Sequence, residues 1–134
     1  MGDAYDELTE QHRAAASLLE RFATSGDEAL ALEIAQQLRA HAAAETNVVI
    51  TELRRFVDGG DDLADEISPD LAALAAGADS VGGADQGDLG PLVERLRTLL
   101  EQHAERMENE VYPAMRDAGV DAAALAHALD DAAR

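Results

Sequence analysis

Apolar residues recur along the chain at alternating steps of three and four, which is the period of an amphipathic α-helix. The first run predicts a helix over about residues 4 to 24, and the second predicts a longer helix over about residues 27 to 58. Each run stops at a glycine signal, at Gly26 and at Gly59, as helices commonly do. No segment shows the sustained alternation of apolar and polar residues that is typical of β-strands, so no strand is expected.

The signals in the middle of the chain are less regular. Ser68 and Pro69 read as an N-cap followed by proline at the first helical position, so the third helix is expected to be short or broken at Pro69. Residues 77 to 90 are rich in Gly and Asp and predict a flexible connection. Pro91 then begins a fourth helix that ends near Gly119.

These elements together predict an all-α fold, an antiparallel four-helix bundle with a short C-terminal extra helix that Asp121 can cap. The length is that of one domain, which we place over residues 1–134 with a core at about 4–118.

The apolar positions of each predicted helix form a stripe, here called its seam, that should face the core. Three of these seams carry polar residues at positions that should be apolar. His12 lies on the first seam, His41 and Glu45 on the second, and His103 on the fourth. An unpaired buried carboxylate costs several kcal/mol, so Glu45 needs a counter-charge, a proton or a metal ion. The four-residue step from His41 to Glu45 puts both on one helix face, suited to ligate one ion or two adjacent ions. Glu108 follows His103 by five residues and would reach the same site from the edge of its helix face.

Composition limits the chemistry of such a site. The chain has no Cys, which excludes disulfides, thiolate catalysis and Fe–S clusters, so any metal must be held by imidazole and carboxylate. It has 28 acidic against 10 basic residues, all Arg, and a net charge of −18 that would repel nucleic acid. This acidity fits an ordinary acidic protein and a high-salt environment equally well.

The chain offers no signal for a membrane. Its apolar runs fall short of the roughly 20 residues of a membrane span, and its acidic start is unlike that of a signal peptide. We therefore expect a cytoplasmic protein with neither a membrane nor nucleic acid as partner.

Three segments, QHRAAASLLERF, HAAAETNVVITEL and EQHAERMENEVYPAMRD, together resemble the hemerythrin-like, HHE cation-binding family over roughly residues 8 to 116. The resemblance implies a four-helix bundle in which histidines and two bridging carboxylates hold a non-haem di-iron centre. The residues that match the family's terminal nitrogen ligands are His12, His41 and His103, and those that match its bridging carboxylates are Glu45 and Glu108.

The chain departs from the family on the third helix. The family usually places further histidines there, whereas this chain has none between His41 and His103. Asp65 or Glu66 could substitute, one iron position could be lost, or the site could be degenerate and empty. We expect two iron ions, with a single ion as the alternative; mixed nitrogen and oxygen ligands also accept Mn or Zn.

The resemblance thus implies a metal-binding protein that binds or senses dioxygen, iron or redox stress. Its ligand would be dioxygen, another diatomic molecule or a peroxide, and binding or sensing is favoured over an oxidase- or peroxidase-like activity. The alternative is a metal-free, degenerate bundle that acts as an interaction module. A monomer and a homodimer are both open.

Overall fold

The computed structural model describes residues 3–132, which form four helical arms, a separate C-terminal helix and no strand. Two helices are unbroken and form the first and third arms of a bundle: α1 (Ala4–Ser25) and α4 (Gly60–Gly82). The second arm consists of α2 (Glu28–Ala44), a π-helical turn (Glu45–Val49) and α3 (Ile50–Phe56). The fourth consists of α5 (Leu89–Arg106), a π-helical turn (Met107–Val111) and α6 (Tyr112–Asp117), and is followed by the separate helix α7 (Ala122–Ala132). None of these helices has the length and apolar character that a membrane span requires.

The four arms close into a bundle because each buries one apolar face against two neighbours. Helix α2 packs against α1 and α4, and α5 packs against α4 and α1. Short connections reverse the chain between consecutive arms, so neighbouring arms are antiparallel. Helix α7 lies outside this ring, on α1 and the first π-helical turn. The all-α bundle predicted from the apolar period is confirmed.

Local signals in the sequence set the helix ends. Asp3 caps α1 by accepting a hydrogen bond from the Asp6 N–H at 3.0 Å, and Asp27 and Asp121 cap α2 and α7 in the same way. Gly26 ends α1 in the left-handed region, with a φ of 65°, where other residues are strained. The predicted bounds of the first two helices are therefore close to those observed.

Helix α4 differs from the prediction because it runs through Pro69 without a break. Pro69 lies on the exposed side of the helix, and the preceding Ser68 hydroxyl donates to the Ala64 carbonyl at 2.7 Å. The opposite side packs against α2 and α5. Burial of that apolar side outweighs the single backbone hydrogen bond that proline removes. The prediction of a short or broken third helix was wrong.

The connection after α4 is also shorter than the predicted loop over residues 77 to 90. Helix α4 continues to Gly82 and α5 begins at Leu89, so only residues 83–88 connect them. Gly77 lies within α4 and serves packing, because a side chain at this position would meet methyl groups of Leu99 and Leu96 of α5 at 3.1 and 3.2 Å. The small residue at Gly77 lets α4 and α5 approach closely, and the prediction of a flexible connection over all of residues 77 to 90 was wrong.

Gly60 provides a test of the packing where α4 begins. A Cβ atom at this position would lie 1.8 Å from the Leu53 carbonyl oxygen, so the backbone would have to move. We predict that Gly60→Ala lowers the free energy of unfolding by about 1–3 kcal/mol, measured by urea denaturation. Gly82→Ala is the matched control, because Gly82 faces open space at the other end of the helix, and its effect should stay within about 1 kcal/mol. Equal destabilisation by both substitutions would contradict the close approach at Gly60.

Candidate metal centre

Four polar side chains lie inside the otherwise apolar core: His12, His41, Glu45 and His103. Their exposed fractions are between 0% and 6%, and among the described side chains the only other buried ones that carry a polar group are the tyrosines Tyr5 and Tyr112. Three of the four bundle arms contribute them, and one nitrogen or oxygen from each lies within 4.8 Å of the others. We call these four residues the core cluster. All four lie at positions that the sequence pattern places on the buried faces of their helices.

The imidazoles of the core cluster converge on one oxygen of Glu45. The Nε2 atom of His103 lies 2.7 Å from Glu45 Oε1, and Nε2 of His41 contacts the same oxygen. The Nε2 atom of His12 lies 3.8 Å from this oxygen and 3.0 Å from His41 Nε2. Three ring nitrogens and one carboxylate oxygen therefore surround a single small volume.

The outer nitrogens of two of these imidazoles bond to acceptors. His12 Nδ1–H donates to Glu108 Oε2 at 3.1 Å, and His41 Nδ1–H donates to Gln11 Oε1 at 2.7 Å. Because carboxylate and amide oxygens only accept, each Nδ1 carries the ring proton. In the neutral imidazoles both Nε2 lone pairs then point into the volume beside Glu45 Oε1.

Lone pairs and a carboxylate oxygen at these distances repel each other unless a positive charge lies among them. One source is a proton on His41 Nε2. Burial by itself raises the pKa of Glu45, but the charge of His41 and hydrogen bonds from the three imidazoles outweigh it and hold that pKa well below its usual value. The other source is a metal ion, which takes the same lone pairs.

The donor set fits a metal ion. With metal–nitrogen bonds of about 2.1 Å, two ligands at right angles lie ~3.0 Å apart, and the Nε2 atoms of His12 and His41 are separated by 3.0 Å. Metal-binding histidines also generally donate their other N–H to a carboxylate or carbonyl oxygen, as His12 and His41 do here. The core cluster can therefore hold a cation through three nitrogens and one oxygen.

The first π-helical turn begins at Glu45 itself. The Ile50 N–H donates to the Glu45 carbonyl, five residues back, so the helix gains one residue in this turn. The Thr46 hydroxyl bonds the Ala42 carbonyl at 2.8 Å and competes with the regular helical bond to that group. The turn thus begins where a threonine disturbs the α-helical ladder, at the residue whose carboxylate enters the cluster.

The second π-helical turn contains Glu108. The Tyr112 N–H donates to the Met107 carbonyl, five residues back. Pro113 follows within the first turn of α6, where a residue without a backbone N–H is tolerated. The Glu108 side chain is 32% exposed and bonds to the outer nitrogen of His12. It lies beside the core cluster rather than within it, in a position that orients His12.

Tyr112 bonds to the second oxygen of Glu45. Its hydroxyl donates to Glu45 Oε2 at 3.0 Å, and its ring lies almost parallel to that of His12, at 10° with centroids 6.3 Å apart. Burial raises the pKa of the Tyr112 phenol, and the charge of Glu45 and the hydrogen bond to it raise this pKa further. Tyr112 therefore stays protonated and acts as a donor to the carboxylate.

Helix α4 brings neither proposed substitute to the cluster. Asp65 is 69% exposed and bonds to Arg54 at 2.7 Å, and Glu66 is 59% exposed and bonds to Arg106 at 3.1 Å. The side of α4 that enters the core carries small and aliphatic residues: Ala64, Ile67, Leu71, Leu74, Ala78 and Val81. All of α4 is described, so the third arm supplies no ligand in place of the missing histidines.

Sequence reasoning did not anticipate Gln11. It is exposed, and its amide oxygen reaches His41 across the gap between α1 and α2. Its position directly before His12 is a weak signal, because a residue next to a ligand on a helix ordinarily points about 100° away from it. Gln11 contributes to the site because its amide oxygen accepts a hydrogen bond from His41 on the neighbouring arm.

Comparison with known proteins agrees with this site. A family model described as hemerythrin HHE cation-binding domain matches residues 3–115, a range that includes the core cluster and Glu108 and ends before α7. Comparison with curated proteins and with solved structures gives no significant match. The family match and the buried cluster of histidine and glutamate together indicate a metal-binding site. Because the family model covers residues 3–115, most of the chain, the protein belongs to the hemerythrin HHE cation-binding domain family.

Proposed function

We propose that the chain is a non-haem iron protein that binds or senses dioxygen or a related redox-active small molecule. The iron ligands would be Nε2 of His12, His41 and His103 and Oε1 of Glu45. One observation carries the proposal: hydrogen bonds on the outer nitrogens of His12 and His41 leave their Nε2 lone pairs directed at a buried carboxylate oxygen. Such an arrangement needs a cation, and imidazole and carboxylate are ligands that iron takes.

Iron accounts for the donor set and for the proposed role. Four protein donors leave positions free on a six-coordinate ion, which is how metal sites accept an exogenous ligand. Bound iron would supply reversible one-electron redox chemistry and an exchangeable coordination position. Manganese or zinc could be accepted by the same donors, and of these zinc would supply no redox change.

Two cavities lead towards the core cluster. One of about 330 Å³ lies between α1 and α2 and is lined by His41 and Gln11 together with alanines and by Leu129 of α7. The other, of about 240 Å³, reaches His12 and Glu108 between α1 and α5. The first has no acidic or basic lining residue besides His41, and its lining is largely apolar. This supports a small neutral ligand such as dioxygen.

A metal-free interaction module is the second candidate function. One observation favours it: among the described residues, every buried side-chain nitrogen or oxygen has a hydrogen-bond partner, so the cluster is satisfied by its own groups. The two candidates predict different responses of the melting temperature to added metal, because a ligand that binds only the folded state raises that temperature. Adding Fe(II) without oxygen should raise it for the iron protein and leave it unchanged for the module.

Removal of single donors tests the proposed function. We predict that His41→Ala and Glu45→Gln each reduce the iron content after anaerobic reconstitution to below about a tenth of the wild-type value, because a ligand is lost from a four-donor site. His127→Ala is the matched control, since His127 is 80% exposed on α7, and it should keep the full content. The measurement is iron per chain by elemental analysis after gel filtration. The same content in all four proteins would refute iron binding by the core cluster.

Glu108 is predicted to orient His12 without ligating the iron. Glu108→Ala should weaken iron affinity about 10- to 100-fold, as loss of a carboxylate behind a ligand histidine generally does, while the number of bound ions stays the same. Glu105→Ala, at an exposed position of the same arm, should have no effect. Affinity is measured by competition with a coloured chelator. Complete loss of binding in Glu108→Ala would make Glu108 a ligand, and an unchanged affinity would remove its orienting role.

A further inference from the structure

The two oxygens of Glu45 have different surroundings. A carboxylate that bridges two metal ions in the bidentate mode uses one oxygen for each ion. Here Oε1 faces the imidazoles of the core cluster, whereas Oε2 accepts a hydrogen bond from the Tyr112 hydroxyl at 3.0 Å. The oxygen that a second ion would need is therefore already bonded to Tyr112.

Tyr112 is held firmly in that position. Its side chain is 3% exposed, and its ring lies against the imidazole of His12 and 5.9 Å from the ring of Tyr5. The Tyr5 hydroxyl in turn donates to the Val120 carbonyl at 3.2 Å, which ties this group of rings to the segment before α7. Moving Tyr112 aside would expose a large buried ring, so Oε2 is not readily released.

The third arm offers no donors at this level of the bundle. Arg106 of α5 pairs with Glu66 of α4 at 3.1 Å, which sets this part of α4 beside the turn that follows His103. Ile67 and Leu71 lie in the same part of α4, with exposed fractions of 0% and 1%. Aliphatic side chains thus occupy the core where the ligands of a second ion would have to stand.

Glu108, the other carboxylate near the core cluster, is also engaged in a hydrogen bond, with His12. The two ring nitrogens of His12 point to opposite sides of the imidazole; Nε2 faces the core cluster and Nδ1 faces Glu108. Glu108 therefore lies behind His12 as seen from Glu45. Glu108 therefore cannot bridge two metal ions together with Glu45 while it holds His12 in this orientation.

We propose that the site takes one metal ion per chain, because Tyr112 holds Glu45 Oε2, the oxygen that a second ion would use, and because α4 supplies no further ligands for such an ion. This inference rests on the proposed function and replaces the expected di-iron centre with a mononuclear one. The ion would bind through three Nε2 atoms and the single oxygen Oε1. One bound iron ion would pass a single electron to an external oxidant as it changed from Fe(II) to Fe(III), whereas reduction of dioxygen to peroxide takes two electrons. The site therefore suits one-electron redox sensing rather than unaided reduction of dioxygen to peroxide.

The test counts specifically bound ions. The full-length apoprotein is titrated with Fe(II) without oxygen, passed through a gel-filtration column and assayed for iron and protein. Because the chain has a net charge of −18, surface carboxylates can also retain ions, and His41→Ala measures this background. We expect one ion per chain above the background. Two specific ions would overturn the inference and leave the proposed function standing, and none would overturn both.

A spectroscopic measurement checks the count independently. After oxidation, a single high-spin Fe(III) ion has half-integer spin and gives an electron paramagnetic resonance signal, whereas a bridged ferric pair is coupled and silent. We expect a signal that accounts for all iron above the background of His41→Ala. A silent sample with full iron content would overturn the mononuclear assignment.

Substitution of Tyr112 tests its part in the inference. Tyr112→Phe should still bind one ion, because α4 supplies no ligands for a second one. Its affinity should be about 10- to 100-fold lower, because the ligand carboxylate loses its orienting hydrogen bond. Tyr5→Phe is the matched control, since its hydroxyl bonds a backbone carbonyl and not the cluster, and its affinity should be unchanged. An unchanged affinity in Tyr112→Phe would overturn the role of Tyr112. Two ions in the wild type and one in Tyr112→Phe would make Tyr112 a ligand of a second ion.

Discussion

The burial of one carboxylate determines the arrangement of the core. Glu45 has no exposed surface, and an ionised carboxylate in an apolar interior costs several kcal/mol unless cations and hydrogen-bond donors surround it. Three imidazoles face one of its oxygens and Tyr112 donates to the other. Helices from three arms must therefore keep their relative positions, because a shift of any of them would leave the carboxylate partly uncompensated.

A proton and a metal ion are equivalent solutions to this problem. The outer hydrogen bonds to Gln11 and Glu108 place the ring protons on Nδ1, so the inner lone pairs of His12 and His41 accept whichever cation is present. The bundle can consequently satisfy its polar groups without metal, and the same geometry favours a metal when one is supplied. Full hydrogen bonding in the metal-free fold is thus compatible with a metal site.

The sequence was most informative where one helix face decides the outcome. The four-residue step from His41 to Glu45 and the seam position of His103 predicted buried polar residues, and these side chains meet in the core. Local signals misled at Pro69, because burial of the opposite face of α4 outweighs a proline on the exposed side. The exact environment of Glu108 depends on a π-helical turn, and a period of 3.6 residues does not describe such a turn. The site partners reached across helices, such as Gln11, depend on packing that no local pattern encodes.

The absence of donors on α4 and the contacts of Tyr112 and Glu108 are consistent with each other. In a bundle that binds one ion, histidines at Ile67 or Leu71 would be buried polar groups without a metal to bond, and each would cost free energy. A free Glu45 Oε2 would carry the same penalty, and the Tyr112 hydroxyl removes it. Glu108 likewise gains a partner in His12 Nδ1 while keeping part of its surface in water. Each feature satisfies or replaces a group that would otherwise require a second ion, so together they favour a complete single-ion site over a damaged two-ion one.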